Sequence, residues 1–127
     1  MDEFLLAFNT GDVARALSLV TDDVIGSDCD YREVHVIFMN GRDQFASWLR
    51  ARAADHDRLV RADVGTNGLV VAVPFVNRTS DTLRSLGFAT GIHPKVDAKV
   101  VFSTDGRIRA FGNGPGGGDA SLCRPET

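Results

Sequence analysis

Asp28 is the residue in this sequence best placed to move a proton, because a strand-like run carries it out of an apolar stretch. A carboxylate set among apolar side chains is disfavoured in its charged form and can act as a general base. Tyr31 could add a phenol and Asn113 a neutral amide, both able to polarise a carbonyl. Each has a plainer reading: a solvated acid at a strand end, a loop tyrosine, and an asparagine that opens a turn. Asp30 forms an Asp-x-Asp pair with Asp28, which in a polar loop is more simply a turn. His35, His56 and His93 stand at no ligand spacing. His56 lies between Asp55 and Asp57, but neighbouring positions at a helix end point apart. Cys29 and Cys123 are too few and too far apart for a disulfide framework or a zinc site. No metal and no cofactor are expected.

The elements that must position Asp28 come first in the chain. Phe4, Leu5 and Phe8 make one helical stripe, and Val13, Ala16, Leu17 and Val20 make a second. Gly11 can end the first helix and Asp12 can cap the second. After the Thr21-Asp22-Asp23 step, a strand leads to Asp28. Residues 33–39 read as a strand, and 41–56 as the main helix, with Phe45, Trp48, Leu49 and Ala53 on one face. A tryptophan on such a stripe is most simply core.

The second half reads as strands. Val60, Ala62 and Val64 alternate with polar residues, and Thr66-Asn67-Gly68 signals a turn. Residues 69–76 are apolar on both faces, with Pro74 pointing to a bulge or an edge. Within 77–91, Ser80 or Asp81 could cap one helical turn that Gly87 stops. Residues 96–103 and 107–113 form a hairpin about Thr104-Asp105-Gly106. Residues 114–127 read as a flexible tail after a single domain over 1–113. Two motifs lack their context: residues 112–117 have dinucleotide spacing without a following helix, and Asn77-Arg78-Thr79 fits a glycosylation site without a signal peptide.

With 127 residues, 43% of them apolar and 24% charged, one soluble domain is expected. A net charge of −3 with scattered arginines argues against a nucleic-acid partner. No apolar run approaches membrane-spanning length, and a cytoplasmic protein is expected.

The order of these pieces resembles the nuclear transport factor 2-like superfamily. The resemblance rests on AFNTGDVARALSLVTDDV, on the helix start NGRDQFASWL and on VVFSTDGRI, which together span most of residues 4–113. It implies an α+β fold in which a curved antiparallel sheet wraps around N-terminal helices as a cone with an apolar pocket, often in a dimer. It does not imply one function. Aligned on the ketosteroid-isomerase-like branch, the family's base falls on Asp28, its tyrosine on Phe4 and its second acid on Ala98. Phe4 and Ala98 offer no oxyanion donor, and Asp97 should point to the opposite face, so a steroid isomerase of the usual mechanism is not implied. The SnoaL-like cyclases are resembled in fold and pocket alone.

Two classes of function remain. One is an acid–base enzyme acting on a small apolar molecule, with Asp28 as base, Asn113 or Tyr31 polarising, and Phe4, Phe8, Trp48, Phe111 and Ala98 lining the pocket. The other is a non-catalytic binder of a small hydrophobic ligand, or a dimeric module with a vestigial pocket. A homodimer is expected in either case, because residues 69–76 are apolar on both faces and few helices are available to cover them.

Overall fold

The computed structural model describes residues 1–62, 68–113 and 119–126. Two short helices, α1 (Asp2–Thr10) and α2 (Val13–Ser18), lead into the long strand β1 (Val20–Asp30). Gly11 turns the chain between the helices with φ 73, and the Asp12 side chain accepts from Arg15 N. Val20, expected on the second helical stripe, starts β1 instead. Ile108 N donates to Leu19 O at 2.8 Å, so pairing with the last strand takes over where the helix, which ends at Ser18, was expected to continue.

After β1 come β2 (His35–Asn40), α3 (Arg42–Ala54), β3 (Arg58–Arg61), β4 (Val70–Val73) and β5 (Phe75–Thr79). The chain continues through α4 (Asp81–Ser85), β6 (Ala98–Phe102) and β7 (Ile108–Asn113) to a short 3-10 turn, Ala120–Cys123. A five-stranded sheet runs β2-β1-β7-β6-β4, antiparallel except for the β1–β7 pair, while β3 and β5 form a second, two-stranded sheet. This is the curved sheet around N-terminal helices that the sequence predicts. Pro74 divides the apolar run: β4 joins the large sheet, β5 the small one, and Ala62 N donates to Pro74 O at 2.9 Å. The predicted Thr66-Asn67-Gly68 turn, Val64 and the 112–117 motif lie wholly or partly outside the described residues.

The concave side closes on aromatic rings. Phe4 packs on Phe111 with ring centroids 5.3 Å apart, and Trp48 lies 5.1 Å from Phe45 and 5.6 Å from Phe8. On β1, Gly26 shares the inward face with Asp28, and only glycine fits there. A Cβ would stand 3.0 Å from the Phe111 carbonyl oxygen and 3.2 Å from the Phe45 ring. The opposite face of the sheet leaves Ile25 and Phe38 about half or more exposed.

The cysteines depart from the sequence reading. Cys29 and Cys123 form a disulfide across 94 positions, and Cys123 is fully buried. Spacing in sequence could not show this, because β1 and the 3-10 turn meet only in the folded chain. The bond ties down part of the stretch read as a flexible tail, and closing so long a loop contributes about 4–5 kcal/mol in the chain-entropy picture. No described helix is long and apolar enough to cross a membrane.

Candidate functional site

Three local features bring charged side chains under the aromatic core. The strand β1 delivers Asp28, whose register partners are Ile37 on β2 and Asn113 on β7. Helix α3 ends with His56 at φ 51, Asp57 N donating to Arg52 O at 3.0 Å and His56 N to Ala53 O at 3.1 Å. That is the Schellman ending, with histidine in the place glycine usually takes, and it turns Asp57 inward. On β5, two residues oppose one of β3 where Arg61 pairs Phe75 and Val60 pairs Asn77. The bulge resets the alternation, so Phe75 and Arg78 are both buried while Val76 is exposed.

Arg78 joins the two acids. Its Nη1 and Nη2 donate to Asp28 Oδ1 and Oδ2 at 2.7 and 2.9 Å, and its Nε and Nη2 donate to Asp57 Oδ1 and Oδ2 at 3.0 and 2.7 Å. Arg52 Nη1 donates to Asp57 Oδ2 at 3.0 Å, so charges alternate along Asp28, Arg78, Asp57 and Arg52. The side chains of Asp28, Arg78 and Asp57 are at most 1% exposed. Burial alone would weaken Arg78's hold on its proton, but Asp28 and Asp57 outweigh it and push its pKa well above the ordinary value. The Arg78 guanidinium also lies 5.2 Å from the centre of the Tyr31 ring.

Asp28 has no acceptor position left. Oδ1 accepts from Cys29 N at 2.8 Å, from Arg78 and from Asn113 Nδ2 at 3.3 Å, while Oδ2 accepts from Trp48 Nε1 at 2.9 Å and from Arg78. Here Asp28 fixes Arg78 in place and offers no lone pair to a substrate proton. Asp57 differs: Oδ2 takes two donors, but Oδ1 takes only Arg78 Nε. Asp57, Arg78, Arg52, Tyr31, Cys29 and Ser80 are among the residues lining a cavity of about 170 Å³. Burial pushes the Tyr31 phenol above its ordinary pKa against the pull of Arg78, so it stays protonated at neutral pH.

The structure brings Asp28, Asn113 and Tyr31 together with Trp48 around an arginine, Arg78, that the sequence reading did not name. Phe4, Phe8, Trp48, Phe111 and Ala98 are all buried, and the rings pack on one another where the apolar pocket was expected. Arg78 and Asp57 escaped sequence reasoning because a bulge and a helix ending aim them. The one available signal was an arginine inside an otherwise strand-like segment. His35 and His93 are exposed, and His56 is an exposed partner of Asp81, its Nδ1 2.6 Å from the carboxylate. Among the described residues no group of three metal-ligating side chains occurs.

No protein-family model and no curated protein sequence matches the chain. Solved structures do. An NTF2-like protein of unknown function from Cytophaga hutchinsonii aligns over 87% of this chain and 80% of its own at TM-score 0.62 and 12% identity. This is the nuclear transport factor 2-like fold. An LEH-like epoxide hydrolase of M. tuberculosis with the same fold aligns over 87% of this chain and 71% of its own, at TM-score 0.64 and 17% identity. A putative polyketide cyclase from Sinorhizobium meliloti aligns over 87% and 89%, at TM-score 0.60 and 15% identity. Identities this low carry the nuclear transport factor 2-like fold and no activity.

Two predictions follow from the charge network. Arg78→Met leaves two buried carboxylates without their shared cation and should cost about 3–5 kcal/mol of stability by denaturant unfolding. Replacing Arg78 with an equally buried, well-tolerated methionine at no cost would show the network to be dispensable. Tyr31 is the sole tyrosine, so its ionisation reads directly in ultraviolet absorbance. Its folded pKa is raised, so the stability it contributes is full below the ordinary value of 10.0 and is lost as pH rises through the folded value. Tyr31→Phe should flatten that alkaline loss.

Proposed function

We propose that this protein is a small-molecule acid–base enzyme of hydrolase or cyclase type, in which Asp57, held by Arg78, takes the proton. The observation that carries this reading is the open acceptor position of Asp57 Oδ1 on a cavity shared with the Tyr31 phenol. Asp28, the base expected from sequence, becomes a positioning residue with Trp48 and Asn113. The cavity is about 170 Å³, which suits a small reacting group.

The chemistry that suits the site is addition of water, or of a substrate hydroxyl, to a small strained ether such as an epoxide. Asp57 Oδ1 removes the proton as the oxygen attacks a ring carbon; the ring C–O bond breaks, and the departing oxygen takes its proton from Tyr31. The proton on Asp57 then restores the phenol through solvent. Fixed charges spare the site reorganisation as charge shifts. An epoxide hydrolase and a putative polyketide cyclase share this fold, which is compatible with this choice.

In a panel of small epoxides and hydroxy-epoxides, diol or cyclic-ether formation is expected, and Asp57→Asn should lower kcat/KM about a hundredfold or more. Binding without turnover that survives Asp57→Asn would favour a non-catalytic binder, the reading that the saturated Asp28 and the closed aromatic core support.

A second copy of the chain is the partner we assign to the outer sheet face. Exposed Phe38 and Ile25 flank a shallow apolar groove floored by Gly26 and Gly112, a knob beside a hollow on one surface. Such a surface is self-complementary under a twofold axis. Light scattering should give a dimer, and Phe38→Asp should give a monomer; a monomeric wild type at high concentration removes the assignment.

A further inference from the structure

We propose that the Cys29–Cys123 disulfide is a reversible redox brace that sets the geometry of the acid–base site. Cys29 follows Asp28 directly, and its backbone N–H is one of the five donors on that carboxylate, at 2.8 Å. Tyr31 lies two residues further on, over Arg78. Strand alternation puts the Cys29 and Asp28 side chains on opposite faces. The bond therefore pulls on the end of β1 from behind the site.

Besides the bond, its far end is held by the 3-10 turn packing on β2. Of residues 119–126 only Cys123 is buried. The segment's described ion pair, Lys95 Nζ to Glu126 Oε1 at 3.1 Å, is partly solvated and worth little. Breaking the bond thus loosens the segment and removes the outer support of Cys29 without touching the aromatic core. Cys29 keeps 6% of its surface exposed while Cys123 has none, so a small dithiol meets the bond at Cys29. A thiolate of the dithiol attacks the Cys29 sulfur, forming a mixed disulfide and releasing Cys123 as a thiolate that takes a proton. The second thiol of the reductant then closes its own disulfide and leaves Cys29 as a thiol.

The consequence for turnover rests on the acid–base reading, but the structural readout does not. Trp48 is the sole tryptophan, and its indole N–H donates to Asp28 Oδ2 at 2.9 Å. Dithiothreitol under native conditions should red-shift Trp48 emission, increase its quenching by acrylamide, and speed exchange of the Cys29 amide at least about tenfold while α1 and α3 stay protected. Reoxidation should reverse all three, and Cys123→Ser should show the reduced values in either redox state. A bond that yields only to denaturant would overturn the proposal, making the disulfide a passive staple. So would native reduction that leaves Trp48 and the Cys29 amide unchanged. Should Cys123→Ser not fold, reduction of the wild-type protein decides alone. A Trp48 response without epoxide turnover would leave the brace standing and sink the reaction instead.

Discussion

Arg78 sits between Asp28 and Asp57 with almost no surface of its own, and the arrangement around it follows from that one burial. An unpaired guanidinium in the interior would be costly, so every donor it uses must find an acceptor. Asp28 supplies both oxygens from β1, and Asp57 supplies both from the end of α3. Each acid then needs its own support. Trp48, Asn113 and the Cys29 amide finish Asp28, and Arg52 helps hold Asp57. The network thereby ties α3, β1, β5 and β7 to a single point, and it is polar matter at the edge of an aromatic core.

The same burial divides the labour between two carboxylates that look alike in sequence. Asp28 is surrounded by donors, whereas Asp57, a lining residue of the cavity, has one donor on Oδ1. Chemistry needs an unfinished hydrogen bond, and stability needs finished ones. An aspartate in a greasy setting is therefore a poor guide to catalysis until its partners are counted. The low identities of 12% to 17% to structures of the same fold fit this picture. The cone depends on apolar pattern and turn placement, which many sequences meet, and the charged residues beneath it can vary independently.

By itself the sequence determined the architecture. The stripes Phe4, Leu5, Phe8 and Phe45, Trp48, Leu49, the stop at Gly11, the Ser80 cap and the Thr104-Asp105-Gly106 turn are local signals, and local geometry obeys them. It also named Asp28, Tyr31, Trp48 and Asn113 as candidates, Asn113 through the family resemblance and not through any period. Tertiary structure alone decided what they form together. A bulge opposite β3 sends Arg78 inward against simple alternation, and a left-handed His56 turns Asp57 under it. Packing closes the expected apolar pocket with its own rings, and Cys123 meets Cys29 across 94 positions. Each of these is a pairing between distant segments, and such pairings leave no period in the chain.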